Sequence, residues 1–133
     1  MKVLSTVALA LFLSACTNVL LRPSNFPFFS GTYYPMTNRG QHPVIFTVNG
    51  CYLGKQPSDW TVEPGELATV RLWNLSGGGA QVTVNFQKID RLTGLVIGAA
   101  NDYVWVSEER RSEAVILTDE AVTRCGSIIC HWQ

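Results

Sequence analysis

The sequence predicts an all-β domain, and three observations lead to this prediction. Segments in which apolar and polar residues alternate recur after position 43. Turns rich in glycine or proline separate these segments about every 8–12 residues. No long segment has the 3.6-residue period of an amphipathic helix. The pattern is typical of a β-sandwich or a barrel, and a small sandwich of two packed sheets fits this length.

The strands follow in order from Pro43. VIFTV at 44–48 ends in Asn-Gly, a strong tight-turn signal. LATVRLWN at 67–74 alternates from Thr69 to Leu72, and AQVTVNFQKI at 80–89 alternates from Val82 to Gln87. LVIGA, DYVWVS and SEAVILT follow as further strands. We expect an immunoglobulin-like or transthyretin-like sandwich. The residues expected between its layers are Phe46, Val48, Val70, Leu72, Val84, Phe86, Val104, Val106, Val115 and Leu117.

Two short segments break this pattern. TDEAVTR at 118–124 is the one plausible helical turn. The glycines at 77–79 are not followed by the Lys-Ser/Thr pair of a phosphate-binding loop, and no helix begins there. We therefore interpret the glycine run as a hairpin or a bulge.

The first fifteen residues predict export. A positive end at Met1-Lys2 precedes the uncharged apolar run 3–13, which is shorter than the roughly 20 residues of a membrane-spanning helix. Small residues follow, as in a secretory signal peptide. The sequence Leu13-Ser14-Ala15-Cys16 then resembles the lipobox of bacterial lipoproteins.

This resemblance implies that Cys16 receives a diacylglycerol and becomes the mature N-terminus, and that in most Gram-negative species its amine is acylated too. Two or three acyl chains hold a protein stably on a membrane. Thr17 stands where the family's inner-membrane retention signal is typically Asp. We therefore expect a palmitate-bearing lipoprotein anchored to the outer membrane of the cell envelope.

The expected organisation has three parts. Residues 1–15 form the signal peptide, 16–42 the lipidated N-terminus and a tether, and 43–133 the β-sandwich. The tether is rich in proline and aromatic residues. Its aromatic residues either lie on the domain, as a first edge strand with prolines confined to edges and turns, or bind a partner. We favour the first interpretation, because exposed aromatic clusters are uncommon on monomers.

Charge and composition narrow the partners. The chain has ten basic and ten acidic side chains, and no basic patch suggests nucleic acid or anionic lipid. An apolar share of 47% against 15% charged residues provides a core and argues against disorder. We predict no nucleic-acid partner.

Part of the chain resembles a PEGA-type β-hairpin module. The matching residues are Val48, Gly50, Gly54, Pro57, Pro64, Gly65 and Val70. The resemblance implies a small surface β-domain without catalytic residues. Glycine and proline at these positions are also what tight hairpins require.

No motif for catalysis is present. His42 and His131 lie in no recognisable nucleophile motif, and no Gly-x-Ser-x-Gly occurs. Carboxylates such as Asp90, Asp102 and Glu108 lie at expected strand ends, where they are normally solvated. We predict no enzyme activity, no catalytic residues and no cofactor.

Three cysteines remain in the mature chain, Cys51, Cys125 and Cys130, and an oxidising envelope favours a disulfide. Cys125–Cys130 closes the shortest loop and is the first choice, whereas a pairing of Cys51 with either is the alternative. A straight strand would prevent the first choice, because five extended residues separate the Cα atoms by roughly 17 Å. A metal site using these cysteines and His131 is a weaker alternative, because the spacing is not that of a zinc knuckle; we predict no metal.

Two functions follow from these features. The first is a non-catalytic structural or interaction module, held on membrane lipid through Cys16, that contacts an envelope protein and acts as an accessory of an envelope assembly. The second is a glycan-binding or small-molecule-binding lipoprotein that uses exposed aromatic residues such as Trp60 or Tyr103. A shallow pocket lined by aromatic rings would favour the second.

Overall fold

The structure, a computed structural model, describes residues 19–21, 31–52, 54–74, 79–107, 110–124 and 127–133. Strands dominate this part of the chain, and a 3₁₀ helix, Pro57–Trp60, is its only helical element. None of the described segments forms a helix long and apolar enough to cross a bilayer. In chain order the strands are β1 Val19–Leu21, β2 Thr32–Asn38, β3 Val44–Val48, β4 Thr61–Val62, β5 Leu67–Asn74, β6 Ala80–Ile89, β7 Val96–Val106, β8 Arg110–Arg111, β9 Val115–Leu117, β10 Ala121–Arg124 and β11 Ser127–His131.

The strands form two sheets, so the predicted all-β sandwich is confirmed. The first sheet has the order β1-β5-β2-β9-β10-β11, and β8 pairs with the start of β2. The second sheet has the order β4-β3-β6-β7. Most neighbours are antiparallel, but β2 runs parallel to β8 and β9.

The longest hairpin, β6–β7, shows why this sequence forms a sandwich. Val82, Val84 and Phe86 point into the core and are at most 1% exposed, whereas the residues between them point outward. Their register partners on β7 alternate in the same way. Since successive side chains of a strand face opposite sides, one face of the hairpin covers the core and the other meets solvent.

Nine of the ten residues predicted for the core are buried. The exception is Val70, which is half-buried and packs against the core. Its position on β5 explains the difference, since β1 pairs only with Leu72–Asn74 and does not extend over Val70. The core also contains residues outside the prediction: Tyr34, Met36, Val44, Val62, Val82, Ala100 and Val122.

The predicted tether, residues 16–42, includes a strand of the sandwich. Thr32–Asn38, which was placed in it, is β2, a strand inside the first sheet between β5 and β9, and Tyr34 and Met36 are 0% exposed. The sandwich therefore includes residues before the predicted boundary at 43. Pro35 made this stretch resemble a tether or an edge. It is tolerated because it lies between the short partners of β2: β8 pairs with Thr32 and Tyr33, and β9 pairs only from Met36 onward.

The predicted helical turn at 118–124 is also wrong. Ala121–Arg124 is the strand β10, and Val122 is fully buried. Thr118 makes the turn before it, because its hydroxyl oxygen accepts from the Ala121 N–H at 3.0 Å. A side chain that bonds the backbone three residues on favours a tight turn over a helix.

Two predicted turns have the backbone that their sequences require. Asn49 and Gly50 both have positive φ, +52° and +81°, as a type I′ hairpin turn demands. Gly65, after Pro64, has φ +83°. These turns set the register of β3 and join β4 to β5.

Candidate functional site

The outer surface of the second sheet carries no charged group. Ten outward side chains from three adjacent strands form it, and we call it the uncharged face. None of the ten has a carboxylate, ammonium, guanidinium or imidazole group. Its residues are Ile45, Thr47, Gln81, Thr83, Asn85, Gln87, Ala99, Asn101, Tyr103 and Trp105.

Two large aromatic side chains stand at one end of this face. Tyr103 is 59% exposed and Trp105 is 51% exposed. They lie opposite Thr83 and Gln81 in the register of β6 and β7. The Trp105 ring lies so close to Gly79 that a Cβ at that position would clash with it. The last glycine of the run 77–79 thus makes room for this ring, a role that the sequence interpretation missed.

A shallow groove of about 400 Å³ runs between β7 and the C-terminal residues. Asn85, Asn101 and Tyr103 of the uncharged face form one wall, and His131 and Gln133 form part of the other. Ala100, Ile129 and Cys130 give it an apolar portion. The groove therefore combines amides, an exposed aromatic ring and an apolar surface.

Hydrogen bonds fix the shape of this groove. The Gln133 N–H donates to the Ala99 carbonyl at 3.0 Å, which ties the end of the chain to β7. Asn85 Nδ2 donates to Asn101 Oδ1 at 2.6 Å. This bond uses one polar atom of each amide, so that the Asn85 oxygen and the Asn101 amino group form a neighbouring acceptor and donor.

Trp132 holds the C-terminal wall against the sandwich. Its Nε1–H donates to the Thr118 carbonyl at 2.6 Å. Its ring packs against Gly98, and the Lys88 ammonium lies 5.2 Å from the ring centroid. Lys88 Nζ also donates to the Asp119 carbonyl at 2.8 Å, which satisfies a charge that is 9% exposed. The groove is thus built on a fixed wall.

A buried polar network lies on the opposite side of β7. Tyr34 Oη donates to Asp102 Oδ2 at 2.5 Å, and Arg124 forms an ion pair with the same carboxylate oxygen. Tyr34 and Arg124 belong to the first sheet and Asp102 to the second. Burial raises the pKa of Tyr34 well above its ordinary value, and the neighbouring Asp102 carboxylate adds to the rise. The network joins the two layers through a fully occupied carboxylate oxygen.

Asp102 corrects one expectation. The sequence predicts a solvated carboxylate at a strand end, but Asp102 lies within β7 and is 4% exposed. Asp90 does lie in a turn, where its side chain accepts from Leu92 N and Thr93 Oγ1. The period-two pattern contained the signal for Asp102, since this residue occupies an inward position between Ala100 and Val104.

The cysteines also differ from the first choice. Cys130 has a free thiol. The Cys125–Cys130 disulfide is therefore not made. Cys130 lies in β11, Ser127–His131, opposite Val122. Burial raises the pKa of the Cys130 thiol to about 11, and Asp102 adds to the rise. Cys51 is disulfide-bonded and 6% exposed.

The other candidate residues separate across the fold. His131 lines the groove, whereas His42 lies in the loop between β2 and β3, where its carbonyl accepts from Asn38 Nδ2 at 2.9 Å. Trp60 packs against the core and against Tyr52, with ring centroids 4.9 Å apart. Of the two aromatic candidates, only Tyr103 therefore lines the groove.

The remaining predictions concern metal and lipid. Within the described ranges no three His, Cys, Asp or Glu side chains come together as a metal site would require. Cys16 and Cys125 lie outside the described residues. The lipidation of Cys16 thus stays a prediction.

Comparison of the chain with protein-family models, with curated proteins and with solved structures finds no match. The candidate site therefore rests on the geometry of this chain.

Proposed function

We propose that this protein is a lipid-anchored outer-membrane lipoprotein that acts as a non-catalytic interaction module and binds an envelope protein through its uncharged face. The observation that carries the proposal is the uncharged face itself. The buried parts of protein–protein interfaces are depleted in charged residues and enriched in tyrosine and tryptophan. An outer sheet face with Tyr103, Trp105 and no charge has this composition.

The position of the first strand supports the anchor. β1 runs antiparallel to the end of β5, with Val19 opposite Asn74. Cys16 precedes Val19 by three residues, which span at most about 10 Å. A lipidated Cys16 would keep this end of the sandwich close to the membrane.

The same arrangement sets the orientation of the domain. The end near the membrane contains Thr32, whose hydroxyl bonds to Ser107. The turn of the β6–β7 hairpin lies at the other end, beside Pro43. Leu92 and Leu95 in this turn are 95% and 65% exposed. The uncharged face runs along the hairpin between the two ends and is accessible from the side.

The network around Asp102 supports a non-catalytic role. Its carboxylate oxygen is held by both Tyr34 and Arg124, so it is engaged rather than available to a substrate. The cysteines support an oxidising envelope compartment. Because Cys130 is free and a lipidated Cys16 has no thiol, we propose Cys125 as the partner of Cys51.

Two experiments test this function. Replacement of Cys16 by serine in the full chain is expected to abolish labelling by radioactive palmitate and to leave the precursor uncleaved. Unchanged labelling would show that the anchor is wrong.

The face is tested in intact cells with a photo-crosslinking amino acid at Thr83, on the uncharged face. The matched control carries the same amino acid at Thr69, an exposed outward position on the first sheet. Position 83 is expected to give a discrete protein adduct that Asn85→Arg removes. Equal adducts from both positions, or an adduct insensitive to Asn85→Arg, would contradict the proposed face.

A second function, glycan binding, is favoured by a separate observation. The groove beside β7 has a shallow form, and one exposed aromatic ring, that of Tyr103, lines it among the described residues. Its volume falls within the roughly 300–1,000 Å³ of small-molecule sites.

A further inference from the structure

We propose that the groove between β7 and the C-terminal residues binds a neutral saccharide, with Tyr103 as the stacking platform and the Asn85–Asn101 pair as the polar contact. This inference rests on the second function above and names its ligand class. It does not depend on the protein partner of the uncharged face.

The charge of the lining selects a neutral ligand. Among the described residues, no side chain that lines the groove has a carboxylate, ammonium or guanidinium group, and His131 contributes the one imidazole. A charged ligand would lose part of its hydration without gaining an ion pair with a side-chain carboxylate, ammonium or guanidinium group, and this cost is large. Acidic and basic sugars, nucleotides and charged peptides are disfavoured for this reason.

The polar groups match vicinal hydroxyls. The acceptor oxygen of Asn85 and the donor amino group of Asn101 stand next to each other, because the remaining atoms of the two amides bond to each other at 2.6 Å. A sugar hydroxyl both donates and accepts, so two adjacent hydroxyls satisfy such a pair. The bond between the amides also fixes both side chains before a ligand binds, which reduces the entropy lost on binding.

The aromatic and apolar groups match the other surface of a sugar ring. One face of a pyranose presents C–H groups, which pack on an aromatic ring. Tyr103 offers such a ring at 59% exposure, and the half-buried Ile129 provides apolar surface nearby. An extended peptide cannot pair with β7 at Ala99, because the Ala99 carbonyl already accepts from the Gln133 N–H.

The test uses the full-length protein purified in lauryldimethylamine oxide, since a glycoside detergent would itself present a sugar. Four trisaccharides are compared by calorimetry and saturation-transfer NMR. The neutral probes are the N-acetylglucosamine trimer and cellotriose, and the charged probes are the glucosamine trimer and trigalacturonate. At least one neutral trimer is expected to bind at least about tenfold more tightly than both charged trimers.

Variants locate the site. Tyr103→Ala is expected to weaken binding about five- to tenfold, whereas Tyr103→Phe keeps the ring and the affinity. Asn101→Ala is expected to weaken binding by about fivefold. Tyr52→Ala is the matched control, because Tyr52 is similarly exposed at 53% but does not line the groove.

Three results would overturn the proposal: no binding of either neutral trimer at about 10 mM, equal binding of the charged trimers, or unchanged affinity of Tyr103→Ala. Each leaves the protein interaction testable by the crosslink from Thr83. Loss of that crosslink with intact sugar binding would instead overturn only the protein interaction.

Discussion

The two faces of the β6–β7 hairpin have the same backbone but opposite chemistry. The inner face presents Val84 and Phe86 to the core and also contains two charged residues, Lys88 and Asp102. The outer side of the hairpin belongs to the uncharged face, so it has no charged side chain although it meets solvent. A strand usually has its charges outside, so both faces depart from the ordinary pattern. The inner charges are explained by their partners: Tyr34 and Arg124 of the first sheet hold Asp102, and the Asp119 carbonyl accepts from Lys88. We attribute the uncharged outer face to binding.

The largest expected contrast compares Val84→Asp with Thr83→Asp, one residue apart on β6. Val84→Asp places an unpaired charge in the core, which costs more than about 4 kcal/mol and unfolds the domain. Thr83→Asp changes the free energy of unfolding by less than about 1 kcal/mol, because its side chain faces outward. Urea denaturation followed by circular dichroism measures both. Equal losses in the two variants would show that the register is wrong.

On β7 the same contrast compares Asp102→Ala with Asn101→Ala. Removal of Asp102 leaves the Arg124 guanidinium largely buried without its counter-charge, and the expected loss is about 3–5 kcal/mol. Asn101→Ala removes one exposed hydrogen bond, so its loss stays below about 1 kcal/mol. If Asp102→Ala were no less stable than Asn101→Ala, the network would not join the sheets in solution.

A smaller contrast compares Tyr34→Phe with Tyr103→Phe. Loss of the Tyr34 hydroxyl removes a buried hydrogen bond to a carboxylate, worth about 1.5–3 kcal/mol. Tyr103→Phe leaves stability within about 0.5 kcal/mol, since its hydroxyl lies on an exposed residue. Thermal denaturation at neutral pH measures both.

Alkaline pH provides a second readout for Tyr34. The raised pKa keeps Tyr34 neutral in the folded state, whereas in the unfolded state it ionises near pH 10. Its contribution to stability is therefore present below pH 10 and is lost as pH rises further, by at most about 1.4 kcal/mol per pH unit. The decline above pH 10 is expected to be shallower in Tyr34→Phe. An identical decline in both proteins would contradict the burial of this hydroxyl.

The smallest effect concerns the thiol of Cys130, a residue of β11 that lines the groove. With a pKa of about 11, it holds little thiolate at pH 8. Since the thiolate is the nucleophile, alkylation by iodoacetamide is expected to be slower at Cys130 in the folded protein than in urea. Peptide mass spectrometry measures the site. Equal rates at pH 8 would indicate an exposed thiol of ordinary pKa.

The sequence predicted those parts of the fold that neighbouring residues determine, namely the inward positions of a strand and its tight turns. The alternation in β6 identified Val84 and Phe86, and Asn49-Gly50 identified the turn after β3. Strand β2 was missed because Pro35 argues against an inner strand unless the gap between β8 and β9 is known. The Tyr34–Asp102 bond joins residues 68 positions apart, and no local period reports such a pairing. The sequence did not predict the groove for the same reason, since the groove forms only when the C-terminal residues pack beside β7.

The parallel pairing of β2 with β9 has a consequence for folding kinetics. Met36 lies opposite Val115, a separation of 79 residues, so the first sheet cannot close around its inner strand until β9 has been synthesised. Contacts this distant along the chain slow folding, and all-β domains dominated by them fold in roughly milliseconds to seconds. The first sheet therefore stays incomplete during synthesis until Val115–Leu117 can pair with β2.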